Sequence, residues 1–438
     1  MIALARLLGP AAYGQLVYVQ TWYMALLPLA IFGLASVIVR EAGRSQLAAT
    51  DFLNHTVAFR TASAAVATMA CWVLALLYIN EKALSLLFVV FGAALFFRAI
   101  ASWSTHAFIG FEQSQYVLRQ NVVFRTGEAA LGITLLYVCP DSLLIAVLHA
   151  LCWFLESLSS LFIVRKRLFS VMPSWKLKEL RLLFISGFPL MISALLSTWL
   201  VQGPLILARP FFPHEDHVIG QLGIAFQVLL LAQVVPWSIG AASVPLISRE
   251  ADASGENDSR LLSLGIQWGI LTSVGLGMVG HSVIPQILPL FLGDRYSLAG
   301  NLTAQIIWCL TPITIAVAAS NSLVARGEFY LLPRAAAVGA GILLLSHNAM
   351  INEYETSGVI VSAALGVITW ALALSTILLR VFRISAWHTF IVPILLSAMS
   401  LIPYFSLRNF HWFPALVAGA GCISLSIAWI EASRRRRQ

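Results

Sequence analysis

From Gln15 to Val39 the chain runs 25 residues without a formal charge, and a helix needs roughly 20 apolar residues to cross a bilayer. Such runs recur. With charges as punctuation, thirteen complete spans are expected, at about 15–38, 58–79, 84–108, 119–138, 142–164, 183–208, 218–246, 261–291, 302–325, 331–352, 357–379, 386–406 and 412–432. Backbone in lipid must be satisfied internally, and continuous apolar runs lack the alternation of a membrane barrel. The expected fold is therefore an all-α polytopic membrane protein. Only 11% of the residues are charged and mean hydropathy is +0.86, where a soluble domain carries roughly 25% charged residues. The first apolar region is too long for a cleavable signal peptide and has no cleavage site.

The net charge of +8 sets orientation rather than marking a nucleic-acid surface. Of 27 Lys and Arg, 20 fall in alternate connections (39–60, 109–119, 165–182, 247–260, 326–334, 380–385) and the tail Arg434–Arg437. Five lie on the other face: Arg6, Lys82, Arg209, Arg295 and Arg408. By the positive-inside rule the basic set, with the C-terminus, faces the cytoplasm. Arg6 on the outer face implies a helix before it, so Met1–Leu8 reads as the stub of a first span, through a misassigned start site or a truncation. The longest hydrophilic stretch, near 165–182, divides the chain. The expected organisation is an N-terminal bundle (1–168), a basic cytoplasmic linker (169–182), a C-terminal bundle (183–385), and two further spans with a basic tail (386–438).

Several motifs have plain explanations. Gly275-Leu276-Gly277-Met278-Val279-Gly280 spells a dinucleotide-binding fingerprint, but that fingerprint needs a preceding strand, and here it sits inside a span where small residues pack helices. His214-Glu215-Asp216-His217 suggests a metal cluster, yet it lies in a short outer loop without further ligands, so no metal and no cofactor is expected. The five cysteines form no C-x-x-C pair and lie in or beside apolar segments, as small hydrophobes do. Pro189, Pro204, Pro236, Pro245, Pro285, Pro289 and Pro312 interrupt second-half spans and allow bending.

The informative residues are charges inside spans: Arg98, Arg125, Glu128 and Glu156. Three of them sit about 12–15 Å from the cytoplasmic end of their spans at 1.5 Å per residue, and Arg125 precedes Glu128 by one turn on the same face. A charge at mid-bilayer costs on the order of 3 kcal/mol or more and faces a partner or a wet cavity. Two readings stay open: a cationic chamber that receives an anionic group at Arg98 and Arg125, or an ion-pair knot that ties three helices together. Glu128 and Glu156 are candidates for ion coupling. In the second half His281 is another, against the plainer role of a hydrogen-bonded interior histidine.

Together the pieces Ala5-Arg6-Leu7-Leu8-Gly9-Pro10, Tyr13-Gly14, Gly33-Leu34, Val39-Arg40-Glu41, Gly110-Phe111-Glu112, Ile219-Gly220, Val244-Pro245, Ser248-Arg249, Leu292-Gly293-Asp294-Arg295-Tyr296 and Ser357-Gly358-Val359 carry a resemblance along the whole chain. It resembles the polysaccharide (O-antigen type) repeat-unit flippases of the multidrug/oligosaccharidyl-lipid/polysaccharide exporter superfamily. The resemblance implies two six-helix bundles with two extra C-terminal helices around a central cavity. It also implies alternating-access transfer, coupled to an ion gradient, of undecaprenyl-diphosphate-linked oligosaccharide across the bacterial cytoplasmic (inner) membrane. A polymerase and glycosyltransferases would be neighbours in the pathway. The family often carries an ion pair mid-way along its seventh helix; here that region reads Val201-Gln202-Gly203-Pro204. Competing readings are a cation-coupled drug or metabolite exporter, a membrane-embedded polysaccharide polymerase or acyltransferase, and a non-transporting scaffold. The exporter would have acidic rather than cationic cavity residues, and the enzyme would bring a long outer loop that is not present.

Overall fold

The computed structural model describes residues 2–44, 46–235, 238, 256–382, 384–385, 387–391 and 394. The expected spans 386–406 and 412–432, the tail, Pro236, Pro245 and Cys422 lie wholly or largely outside them. The described helices are α1 (Ile2–Ile31), α2 (Ala35–Arg44), α3 (Gln46–Tyr78), α4 (Lys82–Gly110), α5 (Ser114–Val138), α6 (Ser142–Arg167) and α7 (Leu177–Ala208). They continue with α8 (Asp216–Ala232), α9 (Glu256–Leu292), α10 (Ser297–Ile306), α11 (Leu310–Ala325) and α12 (Leu332–Phe382). No strand occurs among the described residues. Eight described helical segments are long and apolar enough to cross a membrane. The 25-residue α5 is not one of them, because Arg119, Gln120, Asn121, Arg125 and Glu128 break its apolar run. By contacts the chain divides into two compact units, Met1–Gly220 and Gln221–Gln438.

In the first unit α1 is two helical pieces joined at Gly9, whose φ of 78° suits glycine. The expected span 15–38 ends early, at Ile31. Phe32 and Gly33 both take positive φ (54° and 66°) and turn the chain into α2. Close packing explains the break: a Cβ on Gly33 would stand 2.8 Å from the Gly187 carbonyl oxygen of α7. A second close approach joins α1 to the start of α8. A Cβ on Gly14 would lie 1.9 Å from the Asp216 carbonyl oxygen, and one on Gly220 would lie 2.1 Å from that of Pro10. The two glycines thus face each other's preceding turn. Beside the crossing, Gln15 donates to Asp216 (2.8 Å), and Arg209 pairs with Asp216 (3.1 Å) and Glu81 (3.5 Å) while covering the Tyr18 ring at 4.6 Å. Asp216 of the His-Glu-Asp-His run therefore serves an ion pair.

The basic linker is held rather than free. Asn54 accepts from the backbone of Met172 through its side chain (2.8 Å) and from Ser174 through its carbonyl (3.0 Å). Lys176 stands 3.8 Å from Asp51. Helix α7 begins at Leu177, six residues before the expected span, so Lys178 and Arg181 are helical. Helix α6 is capped by the Asp141 carboxylate on Leu143 N (2.7 Å) and ends in Arg165-Lys166-Arg167, cations placed where the helix dipole is negative. In the second unit the glycine fingerprint lies inside α9 and serves packing between segments: Cβ atoms on Gly277 and Gly280 would press on Trp308 and Ile307 of the turn Ile307–Cys309. The 51-residue α12 is broken at Glu355 (φ 49°), and Gly358 lets the chain return close to Met350.

Arg60 corrects the sequence reading. Counted there among cytoplasmic connections, it lies well inside α3, and its side chain is wholly buried.

Candidate functional site

The first unit brings Arg98 of α4, Arg125 and Glu128 of α5, and Glu156 of α6 into one cluster. Arg125 and Glu128 are one turn apart on α5, which turns both toward α6. Arg125 Nη1 donates to Glu128 Oε2 at 2.5 Å, and Nη2 donates to Glu156 Oε2. Glu156 is nearly enclosed, with its side chain 5% exposed, against 22% for Glu128 and 35% for Arg125. One guanidinium thus bridges two carboxylates from different helices, a geometry its forked donors suit.

Two residues that the sequence reading missed complete the cluster. His149 Nδ1 lies 2.5 Å from Glu128 Oε1, and Trp153 Nε1 donates to His149 Nε2 at 3.1 Å. An indole N–H can only donate, so Nε2 is the bare nitrogen and the Nδ1 proton goes to Glu128. The Trp153 ring is flanked by both arginines, Arg125 at 4.0 Å and Arg98 at 5.1 Å. His149, Trp153 and Glu156 are spaced four and three apart, which sets them on one face of α6. That spacing was the available signal. An uncharged histidine and a tryptophan inside an apolar run do not stand out when charges are counted.

Arg98 is placed differently from Arg125. It donates to Tyr23 Oη and contacts Met24 Sδ, both at 3.2 Å, and its guanidinium lies 5.3 Å from the Tyr23 ring centre. Among the described residues it forms no ion pair. The cluster therefore holds one arginine fixed by carboxylates and one held by aromatic faces and a hydroxyl, and its two guanidinium and two carboxylate charges balance formally. A cavity of about 230 Å³ touches Arg125 and Glu128 and is otherwise lined by apolar residues including Ala3, Leu4, Gly132, Leu136 and Ile145. Pockets for drug-sized ligands run roughly 300–1,000 Å³, so in this state it is too small for an oligosaccharide. His281 stands in the second unit, with Nδ1 2.7 Å from the Ala304 carbonyl oxygen and its ring beside Trp308.

Fold and site define a class: an all-helical multi-pass membrane protein with a guanidinium–carboxylate cluster buried among its first six helices. In fold the chain is similar to the lipid II flippase MurJ in an inward closed conformation, with a TM-score of 0.70 at 14% identity over 99% of this chain and 96% of that one. It is also similar to an inward-facing multidrug resistance MATE family transporter of the MOP superfamily, with a TM-score of 0.65 at 15% identity over 87% and 93%. In sequence it is 23% identical over 369 residues to a Shigella dysenteriae protein whose name describes an O-antigen transporter, covering 82% of this chain and 89% of that one. A family model described as polysaccharide biosynthesis protein matches residues 1–250. The chain belongs to the polysaccharide biosynthesis protein family. The proteins it matches are transporters and a flippase, not enzymes.

Proposed function

We infer that the chain moves undecaprenyl-diphosphate-linked oligosaccharide units across the bacterial inner membrane by alternating access. Arg98 would be the first contact for the diphosphate and Arg125 the second. The observation that carries this reading is the asymmetry of the two arginines. Arg125 is neutralised by Glu128 and Glu156, whereas Arg98 has no carboxylate partner among the described residues and lies between aromatic rings. An anion can take Arg98 without displacing a carboxylate. Reaching Arg125 requires Glu128 and Glu156 to give way, which makes them candidates for ion coupling; His281 is a separate candidate in the second unit. The reading includes thirteen complete spans arranged as two six-helix bundles (1–168 and 183–385) joined by the basic linker 169–182, two further spans (386–438) and a cytoplasmic C-terminus. Polymerase and glycosyltransferases would be functional neighbours.

The test is complementation of a strain lacking this gene. Arg98→Ala and Arg125→Ala are expected to abolish surface delivery of the glycan at normal membrane protein level. Normal delivery by both variants would refute the cationic site. Loss of the proteins from the membrane would show a structural knot instead. Collapse of the ion gradient is expected to slow flipping in vesicles; an unchanged rate would remove the coupling role.

A further inference from the structure

One buried cation stands outside the cluster. Helix α3 turns Leu53, Val57, Ala64, Ala67 and Cys71 inward at spacings of four, seven, three and four, and Arg60 occupies the same stripe. Its side chain is 0% exposed, and Nε, Nη1 and Nη2 meet no hydrogen-bond partner among the described residues. The titratable neighbour whose charge interacts with it is His106 of α4, which brings no negative charge. Burying an unpaired cation is strongly unfavourable, so this guanidinium calls for an acceptor that the described side chains do not offer.

The α3–α4 register says where that partner would be. Trp103 Nε1 donates to Thr56 Oγ1 (3.0 Å), Thr68 Oγ1 to Gly92 O (3.0 Å) and Trp72 Nε1 to Val89 O (3.1 Å), which fixes an antiparallel pairing. Carried along the pair, it sets Arg60 opposite Ala99–Ala101. The backbone positions of Arg60 and Arg98 therefore lie within about 5 Å of each other in depth at 1.5 Å per residue. The end of α1 packs against α3 on both sides of Arg60. Phe32 packs edge-on to Phe59 (4.9 Å between ring centres), and Ser63 Oγ donates to Ala30 O (2.8 Å). That end of α1 is where Phe32 holds a left-handed φ of 54° beside Gly33, a strained joint of the kind found in segments that move.

We propose that Arg60 is a masked oxyanion-binding residue, sealed here under the Phe32–Gly33 joint and presented beside Arg98 to a phosphate-type oxyanion when that joint moves. The proposal rests on the cargo reading above. Its test is Arg60→Met in the full chain. The variant is expected to unfold at the same or a higher temperature than wild type, because an unpaired cation becomes an apolar chain, while surface glycan falls at least tenfold. Export at the wild-type level would overturn the proposal, and so would a lowered unfolding temperature or failure to accumulate, since either shows a satisfied guanidinium. If Arg98→Ala fails and Arg60→Met exports normally, only this proposal falls; if both export normally, the cargo reading falls too. Inorganic pyrophosphate is expected to raise the unfolding temperature of purified wild type and to raise that of Arg60→Met by less; an equal rise in both would overturn the proposal. Stabilisation by phosphatidylglycerol vesicles alone, lost in Arg60→Met, would assign the oxyanion to a lipid headgroup and overturn its assignment to cargo.

Discussion

Glu156→Leu, taken with Arg125→Met in a double-mutant cycle, measures how much the cluster binds α5 to α6. The glutamate is the more enclosed partner, 5% exposed against 35% for the arginine. Removing one partner of a fully buried ion pair costs about 3–5 kcal/mol, and an exposed pair is worth about 0–1 kcal/mol. Arg125 keeps Glu128 at 2.5 Å and the Trp153 face at 4.0 Å, which places the expected cost of Glu156→Leu near 2 kcal/mol, between those limits. Arg125→Met should cost somewhat more, because it leaves Glu156 enclosed and Glu128 with His149 alone. The double variant has no stranded charge at position 156, so it should be less destabilised than the sum of the singles by about 1–2 kcal/mol. Equilibrium unfolding in mixed micelles of mild detergent and dodecyl sulfate reads these differences. Additivity to within about 0.5 kcal/mol would refute the reasoning, because it would mean that the guanidinium and the Glu156 carboxylate do not support each other.

Two further outcomes follow from the geometry. Gly14→Val places a Cβ 1.9 Å from the Asp216 carbonyl oxygen, so α1 and α8 must part at their crossing, at an overpacking cost of about 1–3 kcal/mol; a lower unfolding temperature and lost export are expected, with Gly14→Ala milder, and wild-type behaviour of the valine variant would refute the close crossing. His149→Leu strips Glu128 of one hydrogen-bond donor and Trp153 of its acceptor, at about 1–2 kcal/mol for a partly buried group; stability measured in the same micelles should fall by that amount, and no change would show that His149 does not support the carboxylate.

The in-span charges were legible before any coordinates. Arg98, Arg125, Glu128 and Glu156 stand in apolar runs where a charge is expensive, so each calls for a partner or a cavity. Arg60 was misread because charges served as punctuation: a cation near a helix end looks like loop until the helix is seen to begin at Gln46. His149 and Trp153 were invisible for the opposite reason, being neutral groups in a run judged by charge. The early end of α1 had a hint in Phe32-Gly33, but glycines are ordinary in membrane helices and only contact with Gly187 makes this one a joint.

The sequence by itself determined the class, since long uncharged runs can only be satisfied as helices in lipid, and it gave an expected orientation of the loops from the bias of cations to alternate connections. It also determined which four charges had to be accounted for. Only the tertiary structure decided who partners whom. Arg125 is bound by two carboxylates, Arg98 lies against Trp153 and Tyr23, and Arg60 is sealed without a partner among the described residues. These outcomes depend on how α1, α3, α4, α5 and α6 rotate about their axes and set their mutual heights. Helical periodicity fixes which residues share a face, but the facing helix and its register come from packing between segments far apart in the chain.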